Sequence, residues 1–228
     1  MSATIDKESF CENTGLDPSQ AAFIDTPYPP FMSSNRRIHF LNVRKLSYKS
    51  SKEDELEVIK KIDEILTKHH NQRGLILTSS DKRCKEIKNN LSEQNKKRIR
   101  ICHSKNEDGK TQDEIIDEHS KDENGILLSS SLWEGVDLKD DLSRFQIIAK
   151  VPYPNMTEKR TKIKMEKFPL WYRSQALMKL LQGFGRSIRN ENDWAVTYVL
   201  DSAAYDLLIQ WKSKVPNSFH DVIYQKQD

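Results

Sequence analysis

From Leu56 onward the apolar residues fall at Leu56, Ile59, Ile62, Ile65 and Leu66, with charged residues between them. That three-and-four spacing predicts an amphipathic helix over 53–69. The pattern then changes: Gly74-Leu75-Ile76-Leu77-Thr78 is a short apolar run bounded by turn residues, which predicts a strand buried on both faces. The same alternation repeats as a helix over 81–95, a strand over 98–102, a helix over about 111–120 and a strand at Ile126-Leu127-Leu128. After a polar loop come a strand over 145–149, a long helix over about 171–189, a strand over 195–200 and a last helix near 203–213.

Residues 1–50 break this rhythm. Pro18, Pro27, Pro29 and Pro30 interrupt them, and only the patch from Ile38 to Val43 predicts a short strand, near 36–42. The chain therefore divides into a junction and lead-in segment, 1–50, and an α/β domain, 51–228. Strands that are apolar on both faces and alternate with helices imply a mostly parallel sheet covered on each side.

Composition changes this picture only locally. The 228 residues are enough for a real core, and 36% hydrophobic against 31% charged residues describes a highly charged globular chain. A net charge of +3 is too small to indicate a polyanionic partner by itself. Basic residues do cluster, however, as Lys82, Arg83, Lys85, Lys88, Lys96, Lys97, Arg98 and Arg100, and again as Lys159, Arg160, Lys162, Lys164 and Lys167. Such runs are either solvated faces or the lining of a phosphate backbone. Cys11, Cys84 and Cys102 are odd in number and far apart, with neither a disulfide framework nor metal-ligand spacing, so a reducing, cytoplasmic setting is expected. No apolar run reaches the roughly 20 residues of a membrane span, and the N-terminus has no signal pattern.

Ligands of open parallel sheets bind beyond the C-terminal ends of the strands. Two unusual loops lie there, Ser129 to Leu138 and Val151 to Asn155. The serine run offers hydroxyls and amides to phosphates, Gly135 permits close approach of the backbone, and Asp137 suits a ribose hydroxyl or a metal-bound water. The same loop also reads as a turn around a packed Trp133. Further on, Gln182-Gly183-Phe184-Gly185-Arg186-Ser187-Ile188-Arg189 places two arginines three apart on the expected helix. Forked guanidinium groups there suit the spreading charge of phosphoryl transfer, or simply a basic surface.

Together these residues resemble a known family. Ser131-Leu132-Trp133-Glu134-Gly135-Val136-Asp137-Leu138, then Val151-Pro152-Tyr153-Pro154, then the octapeptide 182–189 are similar to the second motor domain of the XPD/DinG group of superfamily 2 helicases. Gly74 to Ser80 resembles the family's fourth motif, Arg189 to Asp193 with Trp194-Ala195 the tail of its sixth, and Met1-Ser2-Ala3-Thr4-Ile5 its third. The resemblance implies a RecA-like, P-loop NTPase-type three-layer sandwich that closes over ATP held by a partner domain. It implies that Arg189 is an arginine finger with Arg186 beside it, and that Gln182 senses nucleotide. Glu134, Gly135 and Asp137 would couple nucleotide state to the DNA groove. Ser79, Ser130 and Ser131 would touch the backbone of single-stranded DNA, and Trp133 would stack on it or anchor its loop.

The catalytic cradle has no match in this chain. Gly109-Lys110-Thr111 imitates its end, but Ser104 stands where the glycine belongs, and Asp117-Glu118-His119 imitates an acidic box in the wrong order. The expectation is thus the C-terminal half of an ATP-dependent DNA helicase, inactive alone, as a fragment, split gene or truncated frame. ATP and Mg2+ would be held mainly by an N-terminal half in cis or trans, with neither a metal site nor an iron–sulfur cluster in this chain. One alternative is a non-catalytic single-stranded nucleic-acid-binding or regulatory subunit. Another is a different phosphate-binding α/β enzyme, for which only Asp137 with Asp140 or Asp141 offers an acidic pair.

Overall fold

The apolar runs of the inner strands are buried on both faces, while the edge strands at either end of the sheet are only partly covered. The computed structural model describes residues 7–22, 24, 31–47, 49–103, 109–138, 140–188 and 190–224. Its strands are β1 (Ile38–Arg44), β2 (Gly74–Leu77), β3 (Ile99–Cys102), β4 (Ile126–Ser129), β5 (Phe145–Ile148) and β6 (Val196–Asp201). They form one sheet in the order β1-β6-β5-β2-β4-β3, every pairing parallel. The helices are α1 (Lys7–Thr14), α2 (Lys52–Lys68), α3 (Asp81–Asn90) and α4 (Glu93–Lys96), followed by α5 (Gln112–Lys121), α6 (Lys159–Lys167), α7 (Pro169–Phe184), α8 (Ala203–Gln210) and the single turn α9 (His220–Ile223). This is the expected α/β three-layer sandwich.

Side chains alternate between the two faces along each strand, as a period of two requires. Ile76, Ile126, Leu128, Phe145 and Ile147 pack with Ile62 and Leu66 of α2 and Ile87 of α3. Leu75, Leu77, Leu127, Ile148 and Val199 face the other way, onto Leu177 and Leu181 of α7 and Leu207 of α8. Connections that step one way along the sheet, through α2 and α3, thus lie on one face, while the return steps through α5 and α7 lie on the other. Right-handed crossovers demand that division.

Local chemistry sets the helix ends. Ser51 caps α2, its hydroxyl accepting from the Asp54 amide at 3.1 Å while Asp54 accepts from the Ser51 amide at 3.1 Å. The helix expected over 81–95 is broken into α3 and α4. Ser92 donates both its amide (3.1 Å) and its hydroxyl (2.9 Å) to Asp63 of α2, which draws the chain out of the helical path. The helix expected over 171–189 starts at Pro169 and stops at Phe184, where the Gly185 amide turns back to the Gln182 carbonyl at 3.2 Å. Arg186 therefore sits in the turn beyond α7 and not on the helix expected for it, while Arg189 lies outside the described residues. Two helices had no apolar signal: α1, within the stretch read as irregular, and α6, within a run read only for its charge. β1, from the segment set apart as a lead-in, is an edge strand of the sheet beside β6. Met1 to Ile5 lies outside the described residues.

The first basic cluster is largely structural. Arg98 is buried and donates to the carbonyls of Asn124 (2.9 Å), Leu66 (2.8 Å), His69 (2.9 Å) and Gln72 (3.1 Å), stitching the end of α2 to the turn before β4. Arg83 pairs with Glu55 at 2.7 Å and Arg100 with Asp122 at 2.6 Å. Among the described residues, no helix is long and apolar enough to cross a membrane.

Two imidazoles are built into this core. His69 stacks on Phe145 at 4.4 Å, and the His119 Nε2–H donates to the Leu142 carbonyl at 2.8 Å while its Nδ1 is buried without a hydrogen-bond partner. Burial, the largest influence on each, holds both below the ordinary value of 6.5. Below that value the unfolded chain binds more protons than the folded one, so stability falls as the pH drops toward the folded pKa values. Urea unfolding between about pH 7 and about pH 5 should show this slope. His119→Gln, which keeps a donor for Leu142, should flatten it; an unchanged slope would exclude His119 as a contributor.

Candidate functional site

β5, β2 and β4 are neighbours at the middle of the sheet, and their C-terminal ends open into one groove of about 840 Å³. Ser79 leaves β2 on its wall, Ser130 leaves β4, and Pro152 and Tyr153 follow β5. α6 and α7 form the opposite wall, and Phe10 of α1 closes onto the same space. Glu134 and Gln182 also line it. The groove thus brings together five of the site residues singled out by sequence: Ser79, Ser130, Trp133, Glu134 and Gln182.

The loop after β4 is amphipathic. Leu132, Trp133, Val136 and Leu138 are buried, while Glu134, Gly135 and Asp137 are exposed between them. Ser129 closes its first turn, donating to the Cys102 carbonyl at 2.7 Å and accepting from the amides of Ser131 (3.0 Å) and Leu132 (3.2 Å). This structural serine was missed at the sequence level, where the run reads as equivalent hydroxyls. Ser130 donates instead to Asp81, the first residue of α3, at 2.5 Å. Ser131 is not part of the groove lining, and its hydroxyl lies 3.2 Å from that of Ser129. Gly135 has a φ of +78°, a backbone conformation that favours glycine, with open space around its Cα.

Trp133 is not placed to stack on a base. It is 0% exposed, and its indole N–H donates to the Thr78 carbonyl at 3.0 Å. A Cβ at Gly183 of α7 would stand 2.8 Å from its ring, so glycine there permits helix and indole to touch. The anchoring reading of Trp133 is the one the structure adopts.

Gly135, Asp137 and Arg186 lie on a second flank, outside the groove lining. Arg186 joins that flank to α7, its guanidinium donating to the Val136 carbonyl at 2.9 Å and the Gln182 carbonyl at 3.2 Å. Arg189 lies outside the described residues. Asp193 is buried and ion-paired with Arg144 at 2.8 Å, and it accepts from the Asp140 amide at 3.1 Å. Asp141 is likewise paired with Arg144, at 2.7 Å. Among the described residues no group of three or more His, Cys, Asp or Glu side chains converges on a metal position.

Asp201, at the end of β6, was not read as part of any site. Its carboxylate accepts from the amides of Leu46 (3.1 Å), Ala203 (3.1 Å) and Val151 (3.0 Å), binding the exits of β1 and β5 to the start of α8. Burial raises its pKa, against the pull of those three amides. It fixes where the Val151-Pro152-Tyr153-Pro154 loop departs; a lone acid closing an apolar strand was the available signal. The cradle and acidic-box imitations have ordinary roles. Thr111 caps α5, with its hydroxyl 3.2 Å from the Glu114 amide, Lys110 pairs with Glu118, and Asp117 pairs with Lys121 at 2.5 Å. Ser104 lies outside the described residues.

Comparison with known proteins adds to this geometry. The family model described as helicase C-terminal domain matches residues 62–221. A second model, DNA polymerase III delta subunit, matches residues 7–105 and stops short of the 129–138 loop. The ATP-dependent DNA helicase CHL1 of Candida albicans is 30% identical over 93 residues, 33% of this chain and 11% of that protein. Among solved structures, S. cerevisiae Dbp5 bound to RNA and ADP BeF3 aligns with a TM-score of 0.62 at 12% identity, covering 96% of this chain and 51% of that one. Apo XPD aligns with a TM-score of 0.60 at 18% identity, covering 92% and 44%. At such identities the structures speak for the fold, which is RecA-like. The chain spans about half the length of these solved chains and 11% of the curated helicase.

The indole–glycine contact gives a stability test. Alanine in place of glycine ordinarily favours a helix interior by about 1 kcal/mol. At Gly183 the added methyl meets the Trp133 ring, and overpacking of this kind costs about 1–3 kcal/mol. Gly183→Ala should therefore lower the melting temperature; a raised one would show that α7 shifts freely from the indole.

Proposed function

We propose, for a chain that belongs to the helicase C-terminal domain family of XPD-like superfamily 2 helicases, that it is the second motor half of an ATP-dependent DNA helicase. The observation that carries this reading is the single groove across the exits of β2, β4 and β5, with Ser79 and Ser130 on one wall and Gln182 on the other. Hydroxyls and backbone amides hold phosphates without reading sequence, which suits translocation along a single strand of DNA. In this reading Ser79 and Ser130 contact the backbone, and Ser131 shapes the turn that presents them. In the same reading residues 1–50 lead in from the junction with the other half and add β1 to the sheet of the motor domain formed by 51–228.

The second flank fits one side of a nucleotide. Glu134, Gly135 and Asp137 stand exposed on a loop strapped by Arg186 to the end of α7, beside Gln182. In our reading Arg189 is the finger that reaches ATP held by the N-terminal half, and Arg186 positions the loop next to it. ATP bound there supplies the free energy of γ-phosphoryl transfer, and guanidinium groups stabilise the charge that spreads over the transferred phosphoryl. Magnesium has no comparable fit to the described residues, and no role here is assigned through it.

Alone, the chain should bind nucleotide weakly and hydrolyse none. Mixed with an N-terminal half carrying the Gly-rich cradle and acidic box, it should give DNA-stimulated ATP hydrolysis. Arg189→Ala should lower that rate by about a thousandfold or more, as loss of such a finger does elsewhere. An unchanged rate would remove the finger assignment, and strong hydrolysis by the isolated chain would remove the half-motor reading. DNA binding without stimulated hydrolysis in the mixture would favour a non-catalytic binding subunit.

A further inference from the structure

The wall of the groove opposite the serines is built differently from them. Trp171, Gln175, Met178 and Gln182 of α7 all line it. Their spacing of four, three and four residues makes one continuous helix stripe about 16 Å long. The same helix turns Ala176, Leu177, Leu180 and Leu181 into the core; Met178 of the stripe packs against that core, while Gln175 is exposed and Trp171 and Gln182 are half-buried. Arg160 and Lys164 of α6 and Lys179 of α7 stand along it, against the acids Glu134 and Glu158. Near its start the Lys164 ammonium lies 4.6 Å from the centre of the half-buried Trp171 ring. Tyr153 and Tyr172 stack nearby with ring centres 5.3 Å apart.

We infer that this wall is a base-stacking face for a single-stranded polynucleotide, with Trp171 as the stacking platform and Lys164 as the phosphate ligand released when a base takes its place. The inference rests on the nucleic-acid reading of the groove and adds to it a contact with the bases themselves. Relative strengths set the exchange. An ammonium over a ring is worth about two- to fivefold in an equilibrium constant when exposed and about thirtyfold when desolvated, whereas a base stacked on an aromatic side chain is worth about five- to 150-fold. A base that stacks in the upper part of that range displaces the ammonium from the half-buried ring. Lys164, on its flexible stem, is left beside the strand and pairs with a phosphate. Every base has a π face, so the contact tolerates any sequence, as a strand moving through the groove needs. The two walls divide the work: hydroxyls on the serine side hold the backbone, and α7 holds the bases.

The test compares strands with and without bases, using the full chain and fluorescence anisotropy. An oligothymidylate of about fifteen nucleotides should bind at least about fivefold more tightly than an abasic sugar–phosphate strand of the same length. Oligouridylate should keep that advantage, showing that the ring contact serves RNA and DNA alike; loss of the advantage on RNA would confine the site to DNA and overturn its assignment to polynucleotides in general. Trp171→Leu should remove the difference between base-bearing and abasic strands, and Trp171→Phe should retain most of it. Lys164→Gln should weaken both strands and reduce the salt dependence of binding by about one counterion. Equal affinity of the unaltered chain for base-bearing and abasic strands overturns the stacking face while leaving the phosphate groove intact. Binding to neither strand overturns the groove reading, and the stacking face with it.

Discussion

The buried indole of Trp133, hydrogen-bonded to the Thr78 carbonyl and pressed on Gly183, is the contact on which both flanks of the candidate site depend. Thr78 is the first residue past β2, Trp133 belongs to the loop after β4, and Gly183 lies in the last turns of α7. One side chain thus fixes three segments that are far apart in sequence. An indole has a single N–H, and buried without a partner it would be costly. The Thr78 carbonyl removes that cost and fixes the ring's direction. The helix can reach the ring only where a residue has no Cβ, so the identity of residue 183 and the position of residue 133 determine each other.

A parallel sheet opens all its loops at one end, and those loops need anchors that the ladder itself does not provide. Here the anchors are buried charges. Asp201 gathers three backbone amides from the exits of β1 and β5 and the start of α8. Asp193 with Arg144 ties the approach to β6 to the segment before β5. Such groups add little net stability when well paired, but breaking one partner leaves a buried charge uncompensated. Their value lies in specifying where each loop starts. The Val151-Pro152-Tyr153-Pro154 wall stands where it does because its first amide is held by Asp201.

Much of this was legible in the residue pattern. The runs at Gly74 to Leu77 and Ile126 to Leu128 announced doubly buried strands, and the spacing of Leu56, Ile59, Ile62, Ile65 and Leu66 announced α2. The 129–138 loop was found through its position after a strand. The illegible features were those decided by distant partners. Nothing local in 81–95 shows that Asp63 will seize Ser92 and break the helix. The end of α7 before Arg186 depends on Gly185, and a glycine inside a helical pattern permits either outcome. α6 escaped notice because its nine residues carry a weak apolar stripe beneath heavy charge. The two tryptophans near the groove show the limit most clearly. In sequence Trp133 reads either as a stacking residue or as the anchor of its loop, and only the fold, which buries it against Thr78 and Gly183, decides between them. Trp171 carries no local sign that it will stand half-buried on the groove.

The anchoring of Trp133 bears on how the flanks are joined. The loop from Ser129 to Leu138 has Ser130 on the groove at one end and Val136, held by Arg186, on the second flank. Its middle is pinned by Trp133, and its first turn is closed by the Ser129 hydroxyl. A loop pinned in this way does not absorb a displacement by bending; it moves with what it is pinned to, namely the end of β2 and α7. The end of β2, this loop and α7 are therefore held as one unit, and that unit sets Ser79, Ser130 and Gln182 together on the groove.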